Sequence, residues 1–302
     1  MRIFESNRLQ LEQKRKLKRW KKPCVALVED RQLRIGSGAK RAAQLVCEID
    51  SGETYTVNVP EHWLQEEIKK GKIRSGLHIK MPKDAYYDEE RAEIKMSTLP
   101  AMASAPVGEE PSTRRELAVL EGAFSVLVVR VVAKNGVATT KSEEALANSV
   151  FGKFGQAVNM KSQYDNCSHS KLQFEMAANK NGISSNTKIR NGVTTIYVDT
   201  SIRDGDSVMR NAITERLNSE FKVSKPDKLA DFVMYCLPPG TFDSVAYAYI
   251  DSWNSIYNDE WCSSLSAQMH EVGHNLNLGH RYEVIEIILC CSFNRVFFAN
   301  RL

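Results

Sequence analysis

The chain has 302 residues, 42% of them apolar and 26% charged, with a formal net charge of +4. That is ordinary globular composition, enough for one large domain or two modest ones. No apolar run approaches the ~18 residues needed to span a bilayer, so no transmembrane segment is expected.

In chain order, residues 1–23 form a basic tail with nine Lys/Arg against two Glu. A solvated, partly helical segment is expected there. The run is short and has little aromatic interleaving, so no nucleic-acid partner is expected. No apolar stretch of signal-peptide length follows it. Residues 24–96 read as a β-rich region. "CVALV", "AAQLVCEI", "TYTVNV" and "LHIKM" cluster or alternate apolar and β-branched residues, and Gly-rich or Ser-Gly turns separate them. "QEEIKKGK" reads as a solvated helix face. Residues 97–114 hold three prolines among small and polar residues and read as a linker.

Residues 115–302 alternate strand and helix. "FSVLVVRVVA" is a continuous apolar run of the buried-strand type. "SEEALANSVFG" opens on Ser142 as N-cap and closes on Gly152. "GVTTIYVD", "DFVMYCL" and "SVAYAYID" are further strands, and "DSVMRNAITERLNSEF" is a helix opening on Asp206 or Ser207. A last helix starts near Ser263 or Ser264. Its Leu265, Met269, Val272 and Leu276 share one inward face.

That helix leads into "HEVGHNLNLGH", which holds three of the six histidines within eleven residues. His270 and His274 sit one turn apart, only about 40° around the axis, so both imidazoles can reach one metal ion. Glu271 lies about 100° away, off the ligand direction but within reach of a water on that metal. On a continuous helix His280 would point about 120° away from His274, so the chain must turn between them. Asn277 is the residue that tolerates the left-handed backbone such a turn requires, and Gly279 adds freedom before His280. Three imidazoles leave one position open, where a bound water ionises near neutral pH and Glu271 serves as general base. The expected cofactor is Zn2+ and the reaction is metal-assisted peptide hydrolysis.

These residues resemble the metzincin zinc metallopeptidases, with HExxHxxGxxH as pattern, and within them the gametolysin-like peptidases of algal cell walls. "VLVVRV", residues 150–174 and "AQMHEVGHNLNLGH" carry the likeness over roughly residues 120–280. The resemblance implies an α+β fold: a metzincin-like domain of twisted mixed sheet and active-site helix, preceded by a small β-rich, pro-domain-like region. It implies His270, His274 and His280 as zinc ligands and Glu271 as the catalytic residue. It further implies a protein or glycoprotein substrate and a secreted or cell-wall location. Asn277 stands where the family has glycine. Only 22 residues follow His280, without a methionine, so the methionine turn and C-terminal subdomain of the family are expected to be missing. A truncated, catalytically inactive metallopeptidase-like domain is the alternative reading.

The seven cysteines form no CxxC pair, which argues against a cysteine zinc ribbon. Cys24–Cys47 and Cys236–Cys262 are plausible disulfides in an exported protein, with buried free thiols as the alternative. Cys24 as a zinc-blocking thiolate, and Cys167 with His169 as a second metal site, are weaker readings. His62 and His78 read as surface or packing residues.

Overall fold

A computed structural model describes residues 17–35, 38–102, 121–177 and 188–278. Fourteen strands and five α-helices occur among these residues, and twelve of the strands form one mixed sheet. The protein is therefore a mixed α+β fold.

The centre of the sheet is β9 (Gly122–Val132), the apolar run singled out in the sequence. Val126–Val129 on it are fully buried, because helices cover both faces, and a strand buried on both faces needs no alternation. Two strands share one side of β9 in succession, both parallel to it. The first half pairs with β10 (Leu172–Met176) and the second with β11 (Val193–Tyr197). On its other side β9 pairs in parallel with β12 (Phe232–Leu237), which pairs in parallel with β14 (Asn254–Asn258). Antiparallel to β14 runs β13 (Ala246–Tyr249).

The sheet does not stop at β13. The N-terminal region adds β2 (Val25–Ile35) antiparallel to it, with Ala248 opposite Asp30 and Tyr249 opposite Glu29. Beyond β2 follow β3 (Gly38–Glu48), β4 (Thr54–Val57), β7 (Glu93–Lys95), β6 (Tyr86–Asp88) and β1 (Leu17–Arg19). Helix α1 (Glu61–Lys69) belongs to this region, and β5 (Ile79–Lys80) forms a separate ribbon with β8 (Ala101–Met102). His62 and His78 are exposed here. Most of the proposed linker, from residue 103, lies outside the described residues, as do residues 1–16.

Local signals explain the helices that flank the sheet. Helix α2 (Glu143–Phe151) starts where the Ser142 side chain accepts from Ala145 N, and it stops at Gly152, whose φ is 68°. Helix α3 (Met160–Cys167) is opened by a reciprocal capping box between Asn159 and Ser162. Helix α4 (Asp206–Phe221) buries Met209, Ile213, Leu217 and Phe221, one per turn, against the sheet face formed by β9, β11 and β12. Its N-cap is Gly205, and the helix opens on Asp206, the first of the two positions the sequence suggested. Gly205 has φ 88°, a backbone that Asp or Ser adopts only with strain. Helices α2 and α3 cover the opposite face together with α5 (Leu265–Asn275).

Cys24–Cys47 joins β2 to β3, and Cys236–Cys262 joins β12 to the 3-10 turn before α5. Their Cα separations are 5.3 and 5.5 Å. These lie inside the usual disulfide range of about 4.4–6.8 Å. Cys167 is also disulfide-bonded. Cys24 is therefore no free thiolate.

Candidate metal centre on helix α5

Helix α5 carries His270, Glu271 and His274, and five side-chain hydrogen bonds fix it in place. At its first turns, Gln268 Nε2 donates to the Cys262 carbonyl at 2.7 Å and to Ser149 Oγ of α2 at 3.2 Å. In its middle, the Tyr164 hydroxyl of α3 donates to the Met269 carbonyl at 2.7 Å. At its end, Asn275 Nδ2 donates to the Tyr249 carbonyl at 3.0 Å and to the Asn254 carbonyl at 2.9 Å. The Asp251 amide, just past β13, donates to the His274 carbonyl at 3.0 Å. The apolar stripe holds the other face: Val272 and Leu276 are buried, while Leu265 and Met269 pack against the same core.

The helix ends as the histidine spacing required. Asn277 has φ 65°. The Asn277 amide donates to the His274 carbonyl at 2.9 Å, and the Leu278 amide to the Gly273 carbonyl at 2.9 Å. These two bonds are the Schellman pair that closes a helix on a left-handed residue. Leu278 folds back over Gly273: a Cβ added there would lie 3.6 Å from Leu278 Cδ1. Gly279 and His280 lie outside the described residues, so the third proposed ligand has no position here.

The two imidazoles of α5 converge. His270 Nε2 and His274 Nε2 are 3.2 Å apart, with rings nearly perpendicular at 87°. Two nitrogens each about 2.05 Å from a tetrahedral zinc ion would be about 3.3 Å apart, so the spacing fits that ion. His274 Nδ1 sits 2.8 Å from the Leu278 carbonyl. That oxygen can only accept, so the proton belongs on Nδ1 and the Nε2 lone pair faces His270. The turn at Asn277 thus supplies the hydrogen bond that orients the His274 ring. The ligating atoms of His270, Glu271 and His274 all lie within 4.8 Å of one another.

Glu271 is buried, with 6% of its surface exposed. Two buried tyrosines stand close enough to interact with its charge, Tyr164 of α3 and Tyr257 of β14. Burial first, and Glu271 second, hold both phenols above their usual pKa. Both stay neutral and can offer a hydroxyl dipole but no charge. Sequence reasoning missed Tyr164, Gln268 and Asn275 as supports of this helix. The Asn159–Ser162 capping signature could have revealed α3, but the contacts of its Tyr164 with α5 depend on packing across the fold.

His169 lies in the turn after α3 with φ 52°, and it is not part of the α5 cluster. Among the described residues, no helix is long and apolar enough to cross a membrane. Comparison of the chain with protein-family models, curated proteins and solved structures returns no match.

Proposed function

We propose that this protein is a zinc-dependent metalloendopeptidase of the metzincin type, similar to the gametolysin-like peptidases. One observation carries the reading: two Nε2 atoms held 3.2 Å apart on a helix, with a buried glutamate, Glu271, among the three residues between them. His270 and His274 would hold the zinc, and His280, after the left-handed turn, would be the third ligand. When bound, zinc supplies Lewis acidity toward a scissile carbonyl and an attacking water. Glu271 accepts the proton of that water on its carboxylate and returns it to the leaving amine. The Leu278 carbonyl keeps His274 in the ligating tautomer. Tyr164 and Asn275 hold the helix so that these atoms do not drift.

The mixed sheet with one antiparallel strand beside the site helix supports the metzincin-like reading. The two disulfides between buried cysteines support an oxidising, secreted or cell-wall location. Protein or glycoprotein of an extracellular matrix or cell wall is the substrate class. The test is casein hydrolysis with and without a chelator, beside Glu271→Gln. Chelation should abolish hydrolysis and zinc should restore it. Glu271→Gln should lower turnover by roughly 10²–10⁴-fold while zinc stays bound. An unchanged rate in that variant rejects Glu271 as the base.

A further inference from the structure

Helix α5 carries a polar stripe beside its two histidines. Gln268, Glu271 and Asn275 follow at i, i+3 and i+7, and all three are buried. The two ends of the stripe are tethered, Gln268 to the Cys262 carbonyl and Asn275 to the Tyr249 and Asn254 carbonyls. Glu271 stands between them and faces the sheet with them. The tethers also fix what lies beneath it. The chain reverses between β14 and α5 through the 3-10 turn Asp259–Ser263, so the helix runs back along the strand until Asn275 reaches Asn254, where the strand began. Glu271 is four residues short of Asn275, about 6 Å along the helix. Two residues of strand cover about the same length. Glu271 therefore lies over the segment from Ser255 to Tyr257. Strand alternation sends Ile256 into the core on the far face of the sheet, while Tyr257 packs with Val272 and Leu276 of α5, on the same face as Ser255.

We propose that Tyr257 is a positioning residue for Glu271: its hydroxyl, seconded by that of Ser255, holds the carboxylate from the sheet side, directly or through one water. This rests on the metallopeptidase reading above. Ser255 and Tyr257 each expose 0% of their surface, and neither hydroxyl makes a hydrogen bond to another protein atom among the described residues. The Tyr164 hydroxyl, by contrast, is spent on the Met269 carbonyl. After burial, the Glu271 carboxylate is the strongest influence on the Tyr257 phenol. A buried hydroxyl without a partner is costly, and a carboxylate is the strongest acceptor it meets in a dry interior. The arrangement also serves the base. A general base presents one oxygen at a fixed place to the water it deprotonates. A glutamate with three rotatable bonds keeps that oxygen in place when its carboxylate is gripped from behind. Tyr257 keeps its own proton throughout and touches no substrate.

The first test uses the full chain without zinc, with 3-fluorotyrosine placed at position 257 alone and read by fluorine NMR. Its resonance should move in Glu271→Gln and again in Ser255→Ala. The same label at position 235, buried in the core on the far face, should not move in either variant. A label at position 257 that is indifferent to Glu271→Gln overturns the proposal. The second test uses the zinc-loaded chain. Tyr257→Phe keeps the ring and removes only the hydroxyl. It should lower kcat on casein by about ten-fold and leave KM and zinc content unchanged. An unchanged kcat, or a loss that falls on KM or zinc content instead, overturns the proposal. A native chain that binds zinc and cleaves nothing counts against the metallopeptidase reading, and the fluorine measurement then decides the contact between Tyr257 and Glu271 by itself.

Discussion

At the scale of single residues, Asn277 joins sequence to chemistry. The helix must end before His280 can turn toward His270 and His274, and Asn277 ends it with φ 65°. A residue with a branched Cβ pays in strain for that backbone, about 1–2 kcal/mol. Asn277→Val is therefore expected to lose stability by roughly that amount, and Asn277→Gly to lose none. Denaturant unfolding of both variants checks this; equal losses would remove the left-handed turn from the account. Such a residue is legible because the spacing of the histidines forces a turn and few side chains tolerate it. Tyr164 is not legible in the same way. Nothing local in its neighbourhood says that its hydroxyl meets the Met269 carbonyl 105 positions later.

At the scale of elements, α5 combines a readable start and stop with supports that come from elsewhere. Its neighbour Cys262 is tied to β12 through Cys236. Replacing both by alanine should cost about 3 kcal/mol for a loop of 26 positions. It should also loosen the first turn of α5, and chemical denaturation measures the loss. Gly273 makes an opposite prediction. An added Cβ would stand 3.6 Å from both Leu278 Cδ1 and the Tyr164 hydroxyl, ordinary contact distance. Gly273→Ala should therefore raise stability by about 0.5–1 kcal/mol through helix propensity. A lower melting temperature would show that Leu278 has no room to accommodate it. The long strands and helices were readable as elements: α4 spans the residues the pattern marked, from Asp206 to Phe221. The short ones were not. β14, "NSIYN", has a buried Asn254 that donates to the Val233 carbonyl and a half-buried Asn258 that donates to the Phe242 carbonyl, bonds that only the assembled sheet provides.

At the scale of the whole molecule, one sheet runs from the N-terminal region to the site helix. The order of strands across it was not readable, because β2 and β13 lie more than two hundred positions apart in sequence and no local pattern specifies their pairing. Glu48 sits at that junction, buried between Lys225 and the Trp253 indole. Burial raises its pKa above the ordinary carboxylate value, and Lys225 and Trp253 draw it back only in part. A carboxyl raised by folding binds its proton more tightly in the native state. Its contribution to stability is therefore complete at low pH and declines as pH rises from about 4 through the raised value. Glu48→Gln should remove that decline, so that melting temperatures of the two proteins diverge over this window; parallel curves would contradict the buried carboxyl.

The claim on which the function rests is a single zinc ion held by imidazoles of α5. Its most direct test is an equilibrium zinc titration against a competing chromophoric chelator, run on the native chain and on His270→Ala and His274→Ala. The account predicts one zinc per chain, with affinity falling at least a hundred-fold in each variant. Zinc that binds all three proteins alike, or none of them, would contradict it.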